Sequence, residues 1–567
     1  MERVRHPRLA SDLTILKGPI LKNKFFIIFA LLFSISITNL YSSPFEMIPV
    51  GDPILEDIRY LSLQTGNAFL SFTPPISQGE IRIFLNSINR DDLSGPGLEA
   101  YKRIEERLRV FSPFSISSDH FMATLNINST LEARVHSNTN IQGEPVYPKI
   151  EPILSIPINI FFANTIQLYI EPVLTITPKV YNEINNFGFN VPYEYEHFDS
   201  TFPLRAFIAA GGSWWNFQLG RDRLFFGTGH TGSLSFSDNS AYQEFARLSF
   251  FSSIFKYSLL INQMPLRITE SLYERYDPET ADYLTRTTQR YFYLHRIDLL
   301  FRNFLSIGIM EGLMVGNSPL EIRYLNPLMI FHNLFSSPEY ETGWAGEKMG
   351  HLNGSFFSVE INLHFLNNFS IYGQFVMNEF ALSVEIGDEP QPPNGLGYMA
   401  GINYAHLFNN WASTFYLEFI HTYPYLYMNS SPFASFIQMR RLMSPGQREL
   451  YYFIGYPRDT IAITLGANFF NNDTLKLGGK LSWIQRGEHD KDGLVWNWGS
   501  EQSHFDERTP SGIPEHRLIA TINARWKPVS LITLGGSLSC IYSYNNRHIP
   551  GINEIGIQGT FSANFSY

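Results

Sequence analysis

The stretch IGIQGTFSANFSY, residues 555–567, alternates apolar or small residues with polar ones without a break. Ile555, Ile557, Gly559, Phe561, Ala563, Phe565 and Tyr567 fall on one face. Gly556, Gln558, Thr560, Ser562, Asn564 and Ser566 fall on the other. A period of two is that of a β-strand, whose successive side chains point to opposite faces. The run is longer than the common globular strand of about 5–6 residues and suits the roughly 9–11-residue tilted strands that cross a bilayer. The reading is a membrane strand with one lipid-facing side.

Its aromatic last residue resembles the C-terminal signal by which Gram-negative-type outer-membrane barrels are recognised for insertion. From Asp119 the same period returns. Phe121, Ala123, Leu125, Ile127, Leu131, Ala133 and Val135 alternate with Thr124, Asn126, Asn128, Thr130, Glu132 and Arg134. Short breaks then recur at Ala163-Asn164, Gly212-Ser213, Ser252-Ser253, Asn303, Asn367-Asn368, Asn409-Asn410, Asn471-Asn472 and Lys527-Pro528. Tight turns favour these residue types because Gly and Asn tolerate positive φ, while Pro locks φ at about −65°, as the first central position of common turns requires. Long connections at 179–201, 225–243, 265–290, 315–353, 423–457 and 487–515 separate them. Short turns on one side and long loops on the other mark a bacterial barrel. Eight tight turns plus the two terminal strands predict an antiparallel outer-membrane β-barrel of about eighteen strands. The first and last strands pair to close it, because a closed barrel leaves no edge.

Composition agrees with that class. Aromatic residues make up 15% of the chain and charged residues only 17%, against about 25% charged in a soluble domain. Aromatic girdles at both interfaces account for the first figure. A formal charge of −10 disfavours nucleic acid, whose phosphates need a basic partner surface. The single cysteine, Cys540, excludes a disulfide within the chain and reads as a small hydrophobe in a strand.

Residues 1–43 read as a leader and secretory signal. Lys22 and Lys24 precede an apolar run from Phe25 to Phe33, and Ser42 and Ser43 offer a cleavage point before Pro44. Residues 44–115 change period. Asp52 and Pro53 can start a helix carrying Ile54, Ile58 and Leu61, which Gly66 can close. Further helical pieces are expected near 80–88 and 98–110, the last with Leu98, Tyr101, Ile104 and Leu108 on one side. Three short helices make a marginal core alone, so they are expected to pack on the periplasmic end of a barrel spanning 116–567.

Gly227-Thr228-Gly229-His230-Thr231-Gly232 matches the dinucleotide pattern, but the residues after it have no helical period. A nucleotide site needs a helix N-terminus there, so a plain Gly-rich loop is expected. No His-x-x-x-His pair around a Glu and no Gly-x-Ser-x-Gly elbow occurs. No catalytic set, metal site or cofactor is therefore expected, and the chain reads as a non-enzyme. If the apolar faces meet lipid, Arg134, Asp222, Arg296, Asp298, Glu311, Glu360, Lys480 and Arg517 point into the lumen. There, opposite signs favour pairing over ion selectivity. The loops carry Tyr193, Tyr195, Trp344, Tyr423, Tyr425, Trp496 and Trp498 among polar residues. Flat rings with a polar edge suit sugars, and packing within the loops or the outer girdle is the alternative for each. Residues 316–333 are too apolar for a solvated loop and are expected to fold inward or over the barrel mouth.

The order of signal, helical region and barrel resembles the Wzi family of outer-membrane capsule-assembly proteins. Three stretches carry the likeness: Val50-Gly51-Asp52 with the helix to Gly66; Gly220-Arg221-Asp222-Arg223 with Phe225-Phe226-Gly227-Thr228-Gly229 and Ser233-Leu234-Ser235-Phe236-Ser237; and Leu294-His295-Arg296 with Glu321-Ile322-Arg323-Tyr324-Leu325-Asn326-Pro327. The family usually has tryptophans where this chain has Phe225 and Phe226. The resemblance implies a surface lectin that holds exported or capsular polysaccharide, in a barrel that is not an open pore. Its expected partners are outer-membrane lipid, surface polysaccharide and, during insertion, the barrel-assembly machinery, with the protein itself a monomer. The alternative is a diffusion channel of the porin class.

Overall fold

The computed structural model describes residues 45–93, 95–109, 112, 114–118, 120–138, 140–141, 152–178, 195–199, 205–238, 242–265, 289–316, 319–328, 331, 353–380, 392–408, 411–441, 449–471, 474–488 and 507–567. Most of their strands form one closed antiparallel barrel, and two separate two-stranded sheets pair Met47–Ile48 with Ile76–Ser77 and Ile437–Arg441 with Glu449–Phe453. Alternation decides which face meets what. In Glu515–Val529, Leu518, Ile522 and Trp526 are exposed, whereas Arg517, Ile519 and Thr521 are buried. The exposed set continues around the wall through Leu465, Leu481, Leu538 and Ile557. An apolar belt of this extent is foreign to a soluble surface and normal for a face in contact with lipid. Cys540 lies on that outward face between Leu538 and Tyr542.

The barrel closes where its ends meet. Asn553–Ser566 pairs antiparallel with Asn128–His136, and Tyr567 and Ile127 exchange both backbone hydrogen bonds at 2.9 and 2.8 Å. Phe121–Leu125 pairs instead with Phe114–Ser118, which continues the edge beyond Tyr567. The Phe114 and Tyr567 rings stand 5.2 Å apart.

Tight connections follow Asn and Gly as their backbone tolerances dictate. Ala163, Asn164, Asn303 and Asn368 all take positive φ. The turn expected at Lys527-Pro528 lies further on, because Glu515–Val529 runs through both residues and the next strand begins at Ile532. A register shift between Trp526 and Val529 absorbs the proline, which cannot donate to the ladder.

Among the described residues three α-helices precede the barrel: α1 (Ile54–Thr65), α2 (Gln78–Asn86) and α3 (Gly95–Arg107). Asp52 accepts from the Ile54 N–H at 3.1 Å, and Gly66 ends α1 at φ 71°. Ser77 and Glu80 form a capping box on α2. Ile58, Leu61, Ile81, Ala100 and Ile104 are buried in one cluster that also takes Ala405 and Ala412 of the barrel wall. Asn368 N–H donates to Leu63 O and Ala68 N–H to Asn303 O, both at 2.6 Å. The helices thus enter the barrel at its tight-turn end.

Within 316–333, the described loop residues 319–328 and 331 do not turn inward. Tyr293, Leu313 and Val315 share the outward face of Ile297 and Ile309, yet they are buried because Tyr324 and Phe331 cover them from outside. The lumen at this level is already filled by residues 423–437, so the apolar loop covers the wall instead. Glu311 pairs across strands with His295 on that same outward face, and so does not line the lumen.

Candidate functional site

The lumen is filled from both ends. At the tight-turn end the segment between α1 and α2 runs deep into the barrel, where wall side chains hold it. Lys256 Nζ meets the Glu80 carboxylate at 2.5 Å and Thr73 Oγ1 at 3.0 Å. Arg247 donates to the carbonyls of Thr73 and Pro75. Ser71 Oγ donates to Asp298 at 2.9 Å, and Arg296 bridges Asp298 at 2.7 Å and Glu360 at 2.8 Å. Each buried charge has an opposite partner or a carbonyl, as burial demands.

From the loop end, residues 223–238 and 423–438 fold inward. Phe226, Leu234, Phe236, Leu426, Tyr427 and Phe433 join lumen-facing Phe292, Met310, Phe356 and Met399 in one apolar core. Tyr427 OH donates to Leu234 O at 2.6 Å. Arg290 donates to the carbonyls of Pro432 at 2.8 Å and Ser435 at 2.7 Å. The two plugs touch each other: Gly227 N–H donates to Phe72 O at 2.9 Å and Phe225 N–H to Pro74 O at 3.1 Å.

The Gly-rich run is the tip of the upper plug. A Phe226–Phe236 bridge closes its base. His230 and Thr231 N–H groups donate to the Glu418 carboxylate at 2.7 and 3.0 Å, and Tyr372 OH adds a third bond at 2.7 Å. His230 stacks on Tyr416 at 4.1 Å and bonds Asn403 at 2.7 Å. Gly227 sits at φ 139°, and a Cβ on Gly229 would lie 2.9 Å from Met399 Sδ. Close approach to the wall explains these glycines.

Between the plugs a chamber of about 370 Å³ remains. Its floor is Arg59 and Ser62 of α1, and its roof is Thr228, Gly229 and His230. Its wall carries Asn362, His364, Ser370, Asn403, Thr414, Asn468, Lys476, Asn523 and Arg525, with Phe72, Tyr60 and Phe470 as aromatic patches. Asn468, Gly478 and Asn523 lie in one row across three strands. A Cβ on Gly478 would stand 2.5 Å from Asn523 Oδ1 and 3.0 Å from Asn468 Oδ1, so the missing side chain keeps this wall open. Carboxamides both donate and accept, and rings present flat apolar faces. Together they can hold a polyhydroxylated ring. The charges are Arg59, Lys476, Arg525 and Glu56, with Lys476 paired to Glu56 at 2.8 Å. A second cavity of about 400 Å³ lies between Arg107, Asn126, Gln167 and Arg205.

The lumen residues singled out in the sequence lie as follows. Arg134 contacts Glu132 at 2.6 Å, Asp222 contacts Arg205 at 2.6 Å, and Arg517 contacts Glu515 at 3.0 Å. Arg296, Asp298 and Glu360 form the lock on Ser71 already described. Lys480 is half-buried on the lumen face, two residues from buried Ser482. Of the loop aromatics, Tyr193, Trp344, Trp496 and Trp498 fall outside the described residues, and Tyr195 begins the strand Tyr195–Asp199. Tyr423 joins outward-facing Tyr398 and His421, at 6.2 and 5.3 Å, in an aromatic girdle. Tyr425 is buried beside Met428 rather than presented on a loop surface. Arg59, His230, His364 and the asparagine wall were missed. The one signal for them was asparagine on the lumen face a few residues from successive tight turns.

The profile of the family described as capsule assembly protein Wzi matches residues 141–493. The solved structure of Wzi from Escherichia coli, described as an outer-membrane protein involved in group 1 capsule assembly and a carbohydrate-binding β-barrel, is similar in fold. The TM-score is 0.56 at 13% identity, covering 91% of this chain and 99% of that one. OprD of Pseudomonas aeruginosa (TM-score 0.39, 6% identity, 78% and 95% covered) and OmpT of Vibrio cholerae (0.34, 8%, 80% and 100%) are too distant to carry an argument. No curated protein matches the chain.

Proposed function

The chain belongs to the Wzi family of capsule assembly proteins, and on that premise we propose that it binds exported polysaccharide at the cell surface without acting as a channel or an enzyme. The observation that carries this reading is the doubly plugged lumen, with one polar, ring-lined chamber between the plugs. The E. coli relative's description as carbohydrate-binding points the same way. The apolar belt supports lodging in the outer membrane in contact with lipid, with the tight-turn end and its helices on the periplasmic side. Export through a signal cleaved near Ser43, insertion by the barrel-assembly machinery and a monomeric state complete the proposal. Residues 44–115 are the periplasmic helical region and 116–567 the barrel. Tyr193, Tyr195, Trp344, Trp496 and Trp498 are the proposed loop contacts to polysaccharide.

The purified protein is expected to bind surface polysaccharide, and a deletion strain is expected to shed it. Absence of binding together with unchanged retention would overturn the reading. A diffusion channel would instead give steady, large single-channel steps in a planar bilayer.

A further inference from the structure

We infer that the chamber between the plugs is a binding site for an acidic sugar unit, with Arg59 as the residue that receives its carboxylate. This rests on the polysaccharide-binding reading and goes beyond it in naming the sugar class and the contact.

The inference starts from how the buried cations of the lumen are satisfied. Lys256, Arg205, Arg296 and Arg517 each face a carboxylate within 3.0 Å. Arg290 and Arg247 have none among the described residues, but several backbone carbonyls surround the one and two the other. Arg59 differs from both groups. Its guanidinium has five N–H donors. Nη1 reaches Thr228 O at 2.5 Å, and its plane lies over the Phe72 ring at 4.1 Å. Among the described residues no carboxylate stands within ion-pair distance of it, and it lines the chamber. Burial pulls its pKa down, with Tyr372, Glu418, Glu360 and Glu56 acting to raise it. An incoming anion would relieve that burial, because a charge taken out of water is stabilised by a partner of opposite sign.

A second observation points to a ligand with hydroxyl groups. His364 is buried on the chamber wall, and its Nδ1 has no hydrogen-bond partner. Lys476 and Arg525 add positive charge to the same wall against the single carboxylate of Glu56. At about 370 Å³ the space is near the lower end of ligand pockets, about 300–1,000 Å³, which suits a short saccharide segment. A guanidinium binds a carboxylate through two parallel N–H bonds, and carboxamides satisfy ring hydroxyls. The combination selects for acid and sugar together.

The test compares two disaccharides of equal size, one ending in glucuronate and one in glucose, by isothermal titration and saturation-transfer NMR on the full-length protein in detergent. The acidic disaccharide is expected to bind about ten-fold or more tightly at low salt. Arg59→Gln is expected to remove that preference, bringing the ratio of the two affinities to about one, and Arg59→Lys to keep part of it. Arg525→Gln, at the exposed mouth, is expected to weaken acidic binding by a smaller factor and serves if the Arg59 variant does not fold. Equal binding of the two disaccharides, or a preference that survives Arg59→Gln, overturns the inference. So does displacement by inorganic phosphate as effective as by glucuronate, which marks a general anion site. Whole polysaccharide that binds without acidic preference defeats only this inference, whereas no binding of any saccharide defeats the proposed function itself.

Discussion

Lys256 and Glu80 illustrate how a barrel wall holds a helical plug. Both side chains are buried, and their contact also engages Thr73 and Asn216. Removing one partner strands the other charge, which costs about 3–5 kcal/mol. Lys256→Met is therefore expected to destabilise the protein by about that amount in urea unfolding from lipid bilayers. Adding Glu80→Gln should return most of it, and two additive losses would show that the contact is not a unit. His230 gives a pH signature. Burial, with the Arg59 charge nearby, pushes its imidazole down to about 3 from 6.5. The unfolded chain takes the proton first, so this group's contribution is full above about 6.5, declines as pH falls, and is spent near 3. A His230→Phe variant is expected to lose less stability than the parent between pH 6.5 and 4, with thermal unfolding as the measure. An unchanged pH slope would show that the ring is not held neutral. None of these three roles was legible beforehand, because each depends on segments from distant parts of the chain meeting inside the lumen.

Elements were far more legible than residues. The alternation in residues 555–567 correctly gave a strand, its lipid face and its partner, since a period of two leaves one solution once a barrel has to close. The seam carries a prediction. Removing residues 565–567 deletes the pairs to Ser129 and Asn128 and both bonds to Ile127. That loss is expected to abolish outer-membrane assembly; a shortened protein still found heat-modifiable in that membrane would contradict it. The loop at 316–333 was misjudged for a physical reason. Its apolar content said that it must cover something, but composition does not say which face of the wall it covers. The asparagine row offers a second prediction at this scale. Gly478→Leu should fill the space between Asn468 and Asn523 and weaken disaccharide binding with little effect on assembly, and intact binding would place the ligand elsewhere.

At the scale of the whole molecule, the barrel class followed from composition and turn spacing, whereas closure of the lumen did not. Long connections look alike in sequence whether they extend from the barrel or fold into it. Because two independent plugs fill it, deleting residues 224–237 alone is expected to leave planar bilayers silent, and steady conductance from that variant would mean the helices do not seal the tight-turn end. The plugs also meet, through Arg59 with Thr228, Phe72 with Gly227 and Pro74 with Phe225. These bonds form a mechanical load path. A tug on the outer segment is carried by three short-range links to helices on the opposite side, and from there through Lys256 and Arg296 into the wall. On the proposed function, a bound surface polymer would then be anchored at mid-membrane rather than at the loops. In force spectroscopy on residue 238, rupture should come at higher force in the parent than in Lys256→Met, and equal forces would place the anchor in the outer loops alone.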